Sequence, residues 1–251
     1  MLTQERYQMI LSALSRRHTA TVSELALALD ASESTIRRDL NALDEMGQLH
    51  KVHGGATAID LPGFSTQEED VVTKSTLNVE KKDQVAQYAA TLVTDDDFVY
   101  LDAGTTTGKM IDHLTAAKAT YVTNGVDHAV RLTRRGFRTF ILGGQFKSST
   151  EAIVGATALQ NVQKYNFTKC FMGTNGIQLQ AGLTTPDDQE AMLKSEVMAR
   201  SYIPYILADS SKFGRVSSLT FAPLNRCCII TDRLPDPKYR DVAIIKEVSV
   251  K

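Results

Sequence analysis

Six short apolar runs constrain this chain more than any other feature: Phe98 to Leu101, Thr120 to Val122, Thr139 to Leu142, Cys170 to Met172, Tyr205 to Ala208 and Cys228 to Ile230. They are rich in Val, Ile, Leu and Phe and are separated by helix-like segments. Such runs predict buried strands of a mostly parallel sheet covered on both faces. Ligands of such sheets bind beyond the carboxyl ends of the strands, so the residues after each run matter most. Asp102-Ala103-Gly104-Thr105-Thr106-Thr107 follows the first run and opens a helix. Free N–H groups and the positive dipole end at such a helix start suit a phosphate, although Thr105 or Thr106 could equally be a plain N-cap. Thr123-Asn124-Gly125, Gly143-Gly144, Gly173-Thr174-Asn175-Gly176 and Asp209-Ser210-Ser211-Lys212 follow the next four runs. Gly and Asn are turn residues, so these stretches could simply end strands. Being small or polar throughout, they also allow close backbone approach to a polyhydroxylated anion. Lys212 can neutralise phosphate, and Asp209 can accept from sugar hydroxyls. Glu190 and Lys194, one helical turn apart, read by default as a surface i,i+4 ion pair. A helix starting near Asp187 would instead let Lys194 reach a bound anion.

The N-terminal part follows a different pattern. Ser32 is a good N-cap, Gly47 a good helix stop, and Ile36, Leu40, Leu43 and Met46 between them form a core-facing stripe. Ser34, Arg37, Arg38 and Asn41 lie along the other side. Leu49 to His53 then alternates like a strand, and Gly54-Gly55 can turn it back as a hairpin. Upstream, Tyr7, Ile10, Leu11 and Leu14 predict a first helix. Thr21-Val22-Ser23-Glu24 is a capping box opening a supporting helix buried through Val22, Leu25, Ala26 and Leu29. Three helices and a β wing make a winged helix-turn-helix. Most charged helix faces are merely solvated, and such a module can also bind protein. Two adjacent arginines among hydroxyl and amide side chains are better matched to phosphates and guanine edges. The DNA-contacting candidates are Ser32, Ser34, Thr35, Arg37, Arg38, Asn41, Lys51, His53 and Gly54.

Between the two patterns, Leu61-Pro62-Gly63-Phe64-Ser65-Thr66 holds both strong breakers. The expected organisation is a winged helix-turn-helix over 1–58, a linker over 59–74 and an α/β sensor domain over 75–251. A helix is expected to begin within Glu68 to Asp83 and run on through Val85, Ala86, Ala89, Ala90 and Val93. The formal net charge of the 251 residues is -1, which excludes a uniformly cationic nucleic-acid binder. In the first 59 residues six basic side chains oppose seven acidic ones. One module alone should therefore bind DNA weakly, and a homo-oligomer, dimer or tetramer, is expected. Cys170, Cys227 and Cys228 lack C-x-x-C spacing and read as reduced thiols, not metal ligands. No apolar signal core or membrane-length run is visible, so a soluble cytoplasmic protein is expected, with no cofactor, metal or catalytic group.

ASESTIRRDLNALDEMGQLHKVHGGA resembles the helix-turn-helix signature of the DeoR family of bacterial transcription regulators. DAGTT, the TN pair, LGG, GTNGI and ADSSKFG stand in the order of that family's sensor domain, so the resemblance spans nearly the whole chain. It implies a fold shared with ribose-5-phosphate isomerase and coenzyme A transferases, and a phosphorylated sugar as effector. On matching positions, Asp102, Gly104, Thr105 and Thr106 would hold the phosphate end, with Asn124, Asn175, Lys194, Asp209 and Lys212 as further contacts. The family's arginine ahead of the first sensor helix is replaced, Lys74 being the nearest match, whereas Lys82 fits the family's lysine. Gly182 to Asp187 with Glu190 and Lys194 resembles repressors of fructose operons in Gram-positive bacteria, which implies fructose 1-phosphate; a repressor released from operator DNA by its effector is expected. The competing reading is a sugar-phosphate isomerase with an accessory winged-helix domain, using Asp102, Asp209 or Glu190 as base. The strand-end loops lack that enzyme's neighbouring aspartates.

Overall fold

The computed structural model describes residues 2–59 and 63–248 and divides into two compact units, Met1–Gly63 and Phe64–Lys251. In the N-terminal unit, α1 (Thr3–Arg17) leads through the left-handed His18 into β1 (Thr19–Thr21) and α2 (Val22–Ala28). The capping box forms as its residues require: Glu24 N–H donates to Thr21 Oγ1 at 3.2 Å, and Thr21 N–H donates to the Glu24 carboxylate at 2.8 Å. Helix α3 (Glu33–Glu45) starts at Ser32, whose hydroxyl accepts from Thr35 N–H at 3.2 Å. It ends in a Schellman motif, with Gln48 N–H donating to Leu43 O and Gly47 at φ +66. That reversal places Met46 at the cap, so it is 60% exposed and does not continue the buried stripe as expected; Leu49 fills the core instead.

Strands β2 (His50–Val52) and β3 (Gly55–Thr57) complete a three-stranded sheet in the order β1-β3-β2. Val52 pairs with Gly55, so the hairpin turns at His53-Gly54 and not at Gly54-Gly55. Gly54 supplies the positive φ, +85, while Gly55 lies in the strand against β1. A Cβ on Gly55 would sit 2.2 Å from Ala20 O.

The second unit opens with β4 (Phe64–Ser65), α4 (Val71–Thr76) and α5 (Val79–Ala90). Leu61 and Pro62 of the expected linker lie outside the described residues. The part of that linker from Phe64 onward belongs to this unit: β4 pairs with a strand at Val216–Ser217, and Asp70 caps α4. The single long helix expected here is two helices, broken where Asn78 takes φ +51, and Val93 is buried beyond the second.

Strand and helix then alternate through β5 (Phe98–Leu101), α6 (Thr105–His113), β6 (Thr120–Thr123), α7 (Val126–Arg134) and β7 (Arg138–Ile141). A hairpin, β8 (Gln145–Lys147) and β9 (Ala152–Val154), precedes α8 (Ala156–Val162) and β10 (Phe167–Met172). Next come β11 (Gly176–Gln178), β12 (Gly182–Thr185), α9 (Asp188–Ala199), β13 (Ser201–Leu207), β14 (Val216–Ser217), β15 (Leu219–Ala222), β16 (Cys228–Thr231) and β17 (Ile244–Glu247). The main sheet runs β17-β16-β13-β10-β5-β6-β7, parallel throughout. All six apolar runs supply strands to it. Alternate side chains face opposite layers: Val99 and Leu101 pack with α5 and α6, while Tyr100 packs on the side of α8 and α9. From β5 the chain steps outward to β6 and β7, then returns to β10 on the other side. The order therefore reverses between β5 and β10, the place where an open α/β sheet leaves a crevice at its carboxyl edge.

Candidate functional site

On the N-terminal unit, Ser34, Arg37, Arg38 and Asn41 are exposed along one side of α3, and Lys51, His53 and Gly54 are exposed on the wing. Ser32 and Thr35 form the start of that helix, their hydroxyls 2.8 Å apart. Arg37 donates to Glu33 at 2.8 Å across one turn, whereas Arg38 has no carboxylate partner among the described residues. Lys51 N–H donates to Asp44 at 2.9 Å, tying the wing to the end of α3. A pair not visible from local spacing lies behind this face. Asp39 is buried and held by the Arg6 guanidinium through two bonds, Nη2 to Oδ1 at 2.9 Å and Nε to Oδ2. That pairing removes one cation and one anion from those able to meet a phosphate.

In the second unit, all nine expected effector residues line one cavity, of about 80 Å³, at the carboxyl edge of β5, β10 and β13. Asp102 after β5 accepts from Gly173 N–H after β10 at 3.1 Å, a bond directly across the point where the strand order reverses. Gly104 is the N-cap of α6 and provides no side chain, so the first-turn amides are left uncapped. Thr107 turns its hydroxyl inward, donating to Asp102 O at 2.6 Å. The hydroxyls of Thr105 and Thr106 have no protein partner among the described residues. Together the two hydroxyls and the free amides form a donor cluster at the positive end of a helix dipole.

Not every expected contact is available to a ligand. Asn124 is committed to the scaffold, accepting from Ala103 N–H at 3.1 Å and donating to Ile153 O at 3.2 Å. Asn175 accepts from Thr185 at 3.1 Å, which leaves its amide donor for the cavity. Asp209 accepts from Ser211 N–H at 2.9 Å and Asn78 Nδ2 at 3.2 Å, both through Oδ1. Glu190 and Lys194 are not a surface pair. Asp187 caps α9, accepting from Glu190 N–H at 2.9 Å, and this turns both side chains into the interior. Lys194 bonds Asp102 and donates to Gly173 O at 3.0 Å, while Glu190 accepts from Lys147 and Thr150, each at 2.9 Å. Burial opposes the charge on Lys194, but the Asp102 and Glu190 carboxylates outweigh it and raise its pKa.

The remaining cations make the cavity electrostatically uneven. Lys82 is only 4% exposed, donates to Lys74 O, and has no carboxylate partner among the described residues; nor has Lys212. Burial lowers the pKa of both amines, only partly offset by Asp209. At the other end, Lys147 is surrounded by Glu68 at 2.5 Å, Glu190 at 2.9 Å and Asp187 at 3.0 Å. Lys82, Lys74, Glu68 and Glu190 were absent from the residues expected to touch an effector. For Lys82 the resemblance held a signal; for Glu68 there was none, because its partners come from β8 and from α4. The cysteines lie outside the cavity lining, and burial pushes the Cys170 and Cys227 thiols up to about 12, holding them protonated. Among the described residues no group of three or more His, Cys, Asp or Glu could hold a metal, and no helix is long and apolar enough to cross a membrane.

Fold and site together define a class: a winged helix-turn-helix joined to a parallel α/β unit whose strand ends enclose a polar cavity. The model of the DeoR-like helix-turn-helix domain matches residues 6–61, and that of the DeoR C terminal sensor domain matches residues 77–233. The chain belongs to the DeoR family. It is 42% identical to the uncharacterized HTH-type transcriptional regulator FruR of Bacillus subtilis, over 99% of both chains. It is 34% identical to the HTH-type transcriptional regulator IolR of the same species, covering 95% of this chain and 93% of that one. The lactose phosphotransferase system repressor of Streptococcus mutans is 30% identical, over 99% of both chains. Among solved structures, ribose 5-phosphate isomerase from Methanocaldococcus jannaschii is similar at 16% identity and a TM-score of 0.39, over 54% of this chain and 55% of that one. The protein is a DNA-binding transcriptional regulator, not an enzyme.

Proposed function

We infer that this regulator is a cytoplasmic repressor of a sugar-utilisation operon, released from its operator when a phosphorylated sugar fills the second unit's cavity. The observation that carries this reading is a set of donors that no carboxylate or other side chain satisfies among the described residues. The uncapped amides of α6, the hydroxyls of Thr105 and Thr106, and the ammonium groups of Lys82 and Lys212 line the same small space. These are the groups a phosphoryl dianion needs. The Asn175 amide, Asp209 Oδ2 and Glu190 supply donors and acceptors suited to sugar hydroxyls. Fructose 1-phosphate is the preferred ligand, by the likeness to FruR and to the resemblance carried by Gly182 to Lys194. On the DNA side, Ser34, Arg37, Arg38, Asn41, Lys51 and His53 make the contacts, from two or more copies acting together. For release, the ligand has to bind one arrangement of the modules better than another.

A thermal-shift screen against sugar phosphates tests the cavity, because a ligand of the folded state raises its apparent stability. Gel-shift titration with fructose 1-phosphate, fructose 6-phosphate and tagatose 6-phosphate then tests the regulation. Operator affinity is expected to fall with one of them. Unchanged affinity with all three overturns the reading.

A further inference from the structure

As it stands the cavity is about 80 Å³ and open to solvent on one side, whereas a closed cavity of about 150 Å³ takes up benzene and pockets for small organic ligands run about 300–1,000 Å³. A wall that moves would decide how much of a sugar phosphate it encloses. The floor is made of central strand ends and α6, and the α9 wall is pinned by the buried Lys194–Asp102 pair. The remaining wall, residues 66–76 with α4, buries no side chain of its helix. Among the described residues its backbone–backbone bonds to the rest of the unit are Val71 N–H to Ser149 O at 2.8 Å and, at its end, Leu77 N–H to Lys74 O at 3.4 Å. Its side-chain ties include Glu68 on Lys147 at 2.5 Å, the bond from Lys82 to Lys74 O, and Ser65 Oγ donating to Gln67 O at 2.8 Å. The tie to Lys147 is easily surrendered, because that ammonium keeps Glu190 and Asp187 when Glu68 leaves. A second cavity, of about 420 Å³, shares Val71, Ala103, Thr105 and Thr150 with the first. Val71 on α4 thus stands as a partition between a small polar cavity and a larger one.

We propose that residues 66–76 form a hinged strap, latched by Glu68, and that a phosphorylated sugar is admitted when the strap lifts and the two cavities merge. This rests on the effector reading above and adds where the ligand's arrival is registered. The strap begins directly after β4, whose pairing with Val216–Ser217 keeps the preceding stretch in the second unit. Glu68 is a positioning residue for the strap, and Lys74 moves with it.

The test is amide hydrogen exchange on the full chain, comparing wild type with Glu68→Gln without ligand, followed by fructose 1-phosphate titration of both. Exchange at residues 73–76 is expected to be at least tenfold faster in the variant, with Phe98–Leu101 unchanged. Half-saturation is expected at a concentration at least threefold lower, because a larger fraction of the variant is already open. Equal exchange overturns the latch, and so does weaker binding, which would make Glu68 a ligand contact. Val71→Pro is the second variant: proline is tolerated at the first position of a helix, so it removes the bond to Ser149 and leaves the helix intact. It is expected to give the same acceleration at 73–76, and no acceleration in either variant removes the hinge. Should wild type bind no sugar phosphate, the effector reading fails, while the exchange comparison still decides whether the strap is latched.

Discussion

Lys194 and Asp102 show what a single buried pair contributes here. Lys194→Met leaves the Asp102 carboxylate in the interior with only the Gly173 N–H, and removing one partner of such a pair costs about 3–5 kcal/mol. Calorimetric unfolding of the variant is expected to show that loss, and Asp102→Asn in the same chain to restore part of it. Because the Lys194 pKa is raised, the pair's contribution is present below the ordinary lysine value and is lost as pH rises through the raised one. On the DNA side the two arginines are not equivalent. Arg38→Ala should weaken operator binding and lower the salt slope by about 1, as for one lost phosphate contact. Arg37→Ala should do less, since Arg37 must first leave Glu33. Fluorescence anisotropy across a salt series measures both, and equal effects would remove the distinction. At this scale the exposed arginines were legible because a helix displays them at fixed spacing. Arg6 and Asp39, 33 residues apart, were not, because only the packing of α1 on α3 brings them together.

The wing depends on a close approach between strands. Gly55 pairs with Thr21, and a Cβ would press on Ala20 O at 2.2 Å, a backbone atom that cannot swing aside. Gly55→Ala is therefore expected to destabilise the N-terminal unit by about 1–3 kcal/mol, as overpacking does, and to weaken operator binding. Thermal unfolding monitored through that unit checks it, and an unchanged midpoint would show that the sheet can shift. The sequence carried the hairpin but not its register, since Gly54-Gly55 and His53-Gly54 both place a glycine where the turn needs one. Strands were legible where both faces are covered, as for Tyr100 and Val122. The edge strand β17 was missed because Ile244 is 70% exposed and Lys246 and Glu247 interrupt its apolar character. The break at Asn78 was missed for a related reason. Helix-forming residues lie on both sides, and the left-handed turn is favoured by Asn78 reaching Asp209, 131 residues away.

For the molecule as a whole, two charge problems lie apart in sequence order: exposed cations on the helix-turn-helix at one end, and cations held without a carboxylate partner among the described residues at the other. Lys82 and Lys212 are the second kind, with pKa values lowered by burial. A phosphoryl group beside them favours their charged form and moves those values back up. Between the lowered and the restored values, ligand binding must therefore take up protons. Effector affinity should fall as pH rises through that alkaline window, and should also fall below about pH 6, where the phosphoryl group loses its second charge. Through linkage, the concentration of sugar phosphate needed for operator release should rise on the alkaline side by the same factor as the dissociation constant. Calorimetry of fructose 1-phosphate binding at alkaline pH, in buffers of different ionisation enthalpy, is expected to report proton uptake in wild type and less of it in Lys82→Met. Heats independent of buffer, with affinity flat across the alkaline range, would mean the phosphoryl group lies elsewhere in the cavity, away from both amines.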